Sequence, residues 1–268
     1  MKKITSEYKN ILYPEALSDL SFGIDEEAFF KAREAVISER IPRGGVGTLS
    51  EKSLHKILKL YIEPNTELHE VKYLSSIVDV KNSNGVYEIQ TRSYHKLNPK
   101  LEKMLPLGNV TVVCPLAYGK DLRWIDPESG EFSAPKKSPK HENVYDALFN
   151  LFGIREHLKN ENLAVMLIYL DTEEYRALDG WDKSRKRGSN RVERIPTRIL
   201  DVLNITSHKR YSDFIPAELG ESFVASEFSK MIGRTSRFSY YVLKTLVAVG
   251  ALKEDGKRGK AVIYTRTH

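Results

Sequence analysis

Apolar residues recur at helical spacing in "DEEAFFKAREAVISER", residues 25–40, with acids in the first turn and an arginine at the end. That pattern predicts a helix, and "PRGGVG" (42–47) breaks it. A second helix is expected from Thr48, because Thr48-Leu-Ser-Glu51 has the capping-box form and Leu54, Ile57, Leu58 and Tyr61 follow on one face. Pro64-Asn65 ends it. Three strand-like runs come next, at about 69–74, 76–81 and 86–92, then a short basic helix over about 94–105 and the apolar strand "NVTVVCPL" (109–116). "LRWIDPESGEF" reads as a hairpin around Asp126-Pro127 and Ser129-Gly130, and "SAPKKSPK" as a basic loop. A helix over 143–158 and the strand "LAVMLIYL" (163–170) follow. Helix, three strands, helix, strand, helix, strand predicts an α/β fold with a mixed sheet covered by helices.

The C-terminal pattern differs. Between Ala225 and Gly250 two short helices flank a turn at Ile232-Gly233, and two strands are expected around Asp255-Gly256 and Lys257-Arg258-Gly259-Lys260. The chain thus divides into an N-terminal helical segment (1–46), an α/β domain (47–180), a basic linker region (181–220) and a small C-terminal domain (221–268).

Charge sharpens this division. The net charge is +6 over 268 residues; residues 181–210 carry a net +6 and residues 221–268 a net +5, so the basic character belongs to the C-terminal third. That third suits a polyanionic partner. No apolar run approaches the roughly 20 residues needed to span a bilayer, and the first residues lack the apolar stretch of a secretory signal. With Cys114 as the single cysteine, these features favour a reducing, cytoplasmic setting and no membrane partner.

Chemistry is concentrated in "IVDVKNSNGVYEIQTR", residues 77–92, where Asp79, Glu88 and Gln90 interrupt two β-branched runs around an Asn-Gly turn. Glu88 and Gln90 share a strand face. A two-residue turn at Asn84-Gly85 sets Asp79 opposite Gln90. A four-residue loop over 82–85 sets Asp79 opposite Glu88, and a three-residue loop sends Asp79 to the other face. Facing carboxylates repel unless a cation neutralises them, either Lys81 on the same face or a hard divalent metal. A capping box accounts for Glu51 independently of any catalytic role. No Cys/His spacing suggests zinc, and no phosphate-cradling glycine pattern is present.

Over roughly residues 47–115 the arrangement resembles the PD-(D/E)xK, restriction-endonuclease-like nuclease superfamily: Glu51 on a helix, Asp79 in "IVDV", and Glu88-Ile89-Gln90 in "YEIQTR". The resemblance implies a Mg²⁺- or Mn²⁺-dependent DNA endonuclease. Asp79, Glu88 and the Ile89 carbonyl would bind the metal, Glu51 would support it, and Gln90 would orient the attacking water. The sequence departs from the family at Gln90, where lysine is commonest, which keeps a catalytically inactive DNA-binding protein or regulator as the alternative. A nucleotide-binding sensor gating the C-terminal unit is a third reading. The last 48 or so residues resemble a winged helix-turn-helix. That implies DNA contacts from Arg234, Thr235, Ser236, Arg237, Ser239 and Tyr240 on the second helix, and from Lys257, Arg258 and Lys260 in the wing. Lys183, Arg185, Lys186, Arg187 and Arg191 form a further basic stretch suited to phosphates. Prokaryotic members of the superfamily act in restriction, repair, junction resolution and phage defence, and a homodimer is compatible with this reading.

Overall fold

A computed structural model of the chain describes residues 12–38, 53–126, 131–177 and 190–267. The first two longer helices are α1 (Glu26–Ser38) and α2 (Ser53–Ile62). Strands β1 (His69–Tyr73), β2 (Ser76–Asn82) and β3 (Gly85–Ile89) form an antiparallel meander. A 3₁₀ turn and the short helix α3 (Asn98–Met104) then cross over to β4 (Val110–Ile125), which runs parallel to β3. After the two-residue β5 (Lys136–Lys137) and α4 (Val144–Leu151), β6 (Leu163–Ala177) lies parallel to β4 and β7 (Asn190–Ile205) returns antiparallel. The sheet order is β1-β2-β3-β4-β6-β7, with β5 paired to β4. Helices cover both faces: α1 and α2 pack with Ile89, Val113 and Ile168, while α3 and α4 pack with Val86, Val112 and Leu167.

Two boundaries differ from the sequence reading. Residues 190–205, expected in the basic linker, are the last strand of the main sheet, paired with β6 from Ala177↔Asn190 to Val165↔Ile205. Dense charge and Pro196 disguise this strand, and the pairing accommodates the proline at one of its register shifts, between Asp171 and Thr172. The N-terminal segment is not separate either. Ser21 bridges to Leu203, the Phe22 N–H donates to the Val202 carbonyl at 2.8 Å, and the buried Asp201 accepts from Tyr13 (2.5 Å) and Ser21 (2.7 Å). The segment thereby covers the outer edge of β7, which would otherwise offer unpaired amides.

β4 continues past its expected end to Ile125, nine residues beyond Leu116. Pro115 is tolerated because β3 has already stopped. The Val113 carbonyl points toward β3, where it accepts from the Gln90 N–H, so two residues on the missing N–H of Pro115 faces a vacated edge. Further along, the Ala117 N–H on that edge is satisfied by Glu142 Oε2 at 2.9 Å. Where a hairpin was expected around Asp126, Ile125 bridges antiparallel to Phe132, and residues 127–130 of the expected turn lie outside the described residues.

The C-terminal unit contains β8 (Ser222–Val224), α5 (Ala225–Ile232), α6 (Ser236–Ala248), β9 (Leu252–Arg258) and β10 (Ala261–Arg266). The two helices meet at Gly233, whose φ of 63° is left-handed, as the helix end requires. The strands form a sheet of order β8-β10-β9. Its hairpin turn is Gly259-Lys260 rather than Asp255-Gly256; Gly256 instead sits at a register shift inside β9. This unit shares one core with the main sheet: Phe228, Val242 and Leu246 join Leu148 and Leu151 of α4. Phe149 and Phe238 stack at 4.8 Å, and Thr245 donates to the Leu148 carbonyl. No helix among the described residues is long and apolar enough to cross a membrane.

The meander depends on Gly85. Its φ is 134°, and a Cβ there would lie 2.4 Å from the Asn109 carbonyl oxygen. Gly85→Ala is therefore expected to cost at least about 2 kcal/mol in urea denaturation, and a change within about 0.5 kcal/mol would contradict this packing.

Candidate functional site

The register of the β2–β3 hairpin decides which polar groups meet. Lys81 pairs with Val86 and Asn82 with Gly85, leaving Ser83-Asn84 as a two-residue turn. One further step along the ladder places Asp79 opposite Glu88; this is the register of the longer-loop alternative, and Asp79 does not face Gln90. Paired residues end at Val80↔Tyr87. Beyond that point the Ile89 N–H, which by alternation faces β2, donates to Asp79 Oδ2 at 2.7 Å. A side chain has replaced the strand backbone, and the two strands part at the carboxylates.

Glu88 lies in the same notch, 4% exposed, on the face covered by α3. Lys100 of that helix donates to both its oxygens, at 2.7 and 2.9 Å, and to the Ile77 carbonyl at 2.7 Å. All three ammonium donors are spent, so the cation is fixed in place. Burial pushes the Glu88 carboxyl up to about 7, aided by the neighbouring Asp79 charge and against the pull of Lys100. Asp79 Oδ1 has no hydrogen-bond partner among the described residues. The site thus sets two neighbouring carboxylates side by side: Glu88, desolvated and paired with Lys100, and Asp79, held through one oxygen by the Ile89 N–H with its other oxygen bare.

The expected residues fare differently. Asp79 and Glu88 are brought together, and the Ile89 backbone joins them through its N–H. The Gln90 side-chain amide instead donates to the Arg92 carbonyl, while the Gln90 carbonyl accepts from Tyr94 at 2.5 Å. Glu51 lies outside the described residues; the helix described from Ser53 starts against β7, where the Ser53 N–H donates to Glu193 at 3.1 Å. Lys100 escaped the sequence reading because "NPKLEK" looks like an ordinary basic helix.

The C-terminal candidates are divided by packing. Thr235 caps α6 by accepting from the Phe238 N–H, and Ser236, Arg237 and Tyr240 are exposed. Ser239 is fully buried and so cannot touch a ligand without the helix leaving its core. Arg234 donates to Asp146 at 2.7 Å, fastening the turn to the N-terminal cap of α4, and Arg258 pairs with Glu227 at 2.7 Å. Lys257 and Lys260 are exposed on the hairpin. Arg191 on β7 lies 3.8 Å from Glu174, whereas Lys183, Arg185, Lys186 and Arg187 fall outside the described residues.

The family described as "Domain of unknown function (DUF8091)" matches residues 52–206, more than half of the chain and everything from α2 through β7. The chain belongs to this family. The DUF8091 region contains Asp79, Glu88, Gln90 and Lys100 and stops before the C-terminal helices. An uncharacterized protein of Treponema pallidum (strain Nichols) is 26% identical over 225 residues, covering 82% of this chain and 87% of that protein. That extent reaches past the DUF8091 region. No solved structure matches the chain.

A carboxyl raised by folding adds stability while protonated, fully present below its unfolded value near 4.5 and lost as pH rises through about 7. In the metal-free protein, Glu88→Gln is expected to remove about 3 kcal/mol of pH-dependent stability between those limits. Urea denaturation at both ends of the interval measures it; identical pH slopes in variant and native protein would contradict the buried carboxyl.

Proposed function

We propose that the chain is a metal-dependent phosphodiester hydrolase acting on DNA, with the Asp79–Glu88–Lys100 notch as its centre. The observation that carries this reading is the meeting of two opposed carboxylates, one of them paired with an immobilised lysine, at the point where β2 and β3 part. The order α2, β1, β2, β3, α3, β4 supports a restriction-endonuclease-like core. The helix pair followed by a strand hairpin supports a winged helix.

The donor set fits a hard divalent cation. Two carboxylates against one ammonium leave an uncompensated negative charge in a desolvated notch, and Asp79 Oδ1 is available to a new ligand. Among the described residues no group of three or more His, Cys, Asp or Glu gathers, so a cation here would rest on Asp79 and Glu88 with backbone, water or substrate oxygens completing its shell. When bound, Mg²⁺ supplies Lewis acidity and lowers the pKa of a bound water. Lys100, already oriented by Glu88 and Ile77, provides a fixed positive charge toward a phosphate as negative charge grows on its oxygens. Ile89 donates its N–H to Asp79 and holds that carboxylate in register with Glu88. Lys100 takes the part that the family pattern gives to a lysine two residues after the glutamate. The exposed Arg237, Tyr240, Lys257 and Lys260 offer backbone contacts to DNA.

Purified protein incubated with supercoiled, linear, single-stranded and branched DNA in Mg²⁺ or Mn²⁺ is expected to cleave at least one substrate, with loss in EDTA. Asp79→Ala and Glu88→Ala are expected to fall to background. Lys100→Met should lose about 100-fold or more, and Gln90→Ala, whose amide is spent on Arg92, much less. No cleavage of any substrate, or native cleavage by the Asp79 and Glu88 variants, overturns the proposal.

A further inference from the structure

A cleft of about 630 Å³ lies away from the carboxylate notch, where the C-terminal unit meets the body of the protein. Its walls come from the turn before β6 (Lys159), the 3₁₀ segment after β7 (His208–Ile215), the end of α6 (Val249–Ala251) and the end of β10 (Arg266, Thr267). Among the described residues no aspartate or glutamate lines it, whereas Lys159, Lys209 and Arg266 do, with His208 beside them.

Those cations are arranged rather than scattered. Arg266 is held rigidly by one nitrogen, Nη2, which donates to the carbonyls of Pro216 (2.7 Å) and Leu219 (3.0 Å). Its other guanidinium nitrogens have no partner among the described residues. Lys159 lies across Gly250, its Cε and Nζ 3.3 Å from where a Cβ would stand. Gly250 has a φ of 79°, so the same glycine both turns the chain after α6 and leaves room for that side chain. Neither Lys159 nor Lys209 has a carboxylate within 4.0 Å among the described residues, in contrast to Arg176, Arg194, Arg198 and Arg210, each of which is paired. Concave sites lined by one sign of charge concentrate counter-ions. Ile215, Val249 and Ala251 give the cleft an aliphatic wall suited to the uncharged part of a ligand. The volume falls in the range of small-molecule sites, about 300–1,000 Å³.

We propose that this cleft binds a phosphorylated small molecule of about mononucleotide size, with its phosphate on Lys159, Lys209 and Arg266. The ligand would touch the body and the C-terminal unit together, so its binding strengthens their docking. This proposal stands apart from the hydrolase reading, since it uses none of the same residues.

The test is isothermal titration and thermal unfolding of the full chain with AMP, ATP and inorganic phosphate, and with adenosine as the uncharged control. EDTA is present throughout, so that a metal at Asp79 and Glu88 cannot contribute. AMP or ATP is expected to bind and to raise the unfolding temperature, and adenosine to do neither. Lys159→Glu and Lys209→Glu alter exposed side chains and should leave the fold intact, while each weakens binding about tenfold or more. Asp79→Ala should bind as the native protein does. Absence of binding by all three phosphate probes at about 1 mM, or native affinity in the two charge-reversed variants, overturns the proposal.

Discussion

The Asp79 carboxylate takes the Ile89 amide that the neighbouring strand would otherwise accept, and much else depends on that exchange. An antiparallel ladder normally continues while both strands have backbone to offer. Here a side chain ends the pairing after Val80↔Tyr87 and opens a notch at the end of β3. Glu88 is held inside the notch by α3, and Lys100 is the cation that makes its burial tolerable. Removing one partner of such a pair leaves the other desolvated, which is the costly arrangement. Glu88 and Lys100 are therefore held as a pair, with the Asp79 carboxylate beside them raising the Glu88 carboxyl further.

The rest of the architecture serves to hold that unit rigid. Gly85 allows β2 and β3 to turn against the Asn109 carbonyl, fixing the register that sets Asp79 opposite Glu88. Behind them, β4 and β6 form a long parallel pair filled on both faces by aliphatic side chains. The outer edge at β7 is closed by the N-terminal segment. The C-terminal helices are part of the same core: Arg234, Phe238 and Thr245 all attach α6 to α4 or its cap. A helix so docked presents its Ser236–Arg237–Tyr240 side to solvent, while Ser239 stays in the core.

Most helices and strands were legible because their apolar periodicity agrees with how they are buried. α1, the β1–β3 meander and the C-terminal helix pair follow their patterns within a few residues. β7 was not legible: its arginines are neutralised by acids on the neighbouring β6, as Arg194 is by Glu174 and Arg198 by Asp171, so a paired strand carries the composition of a linker. The hairpin register could not be chosen from "KNSNGV", since either even loop length satisfies the same turn residues. Lys100 was hidden for a different reason. Its partner Glu88 is 12 residues away and the contact exists only once α3 folds over the sheet. Ser239 looked like a polar contact residue because burial of a small hydroxyl leaves no signature in sequence.

The central claim is that Glu88 is a desolvated acid, paired with Lys100 and set beside the Asp79 carboxylate, that a divalent cation would ionise. Carbon-13 NMR titration of the Glu88 carboxyl, without and with Mg²⁺, reads this directly. The account predicts a midpoint near 7 in the metal-free protein and a fall toward the ordinary carboxylate range when Mg²⁺ is added. A midpoint in the ordinary range under both conditions would contradict it.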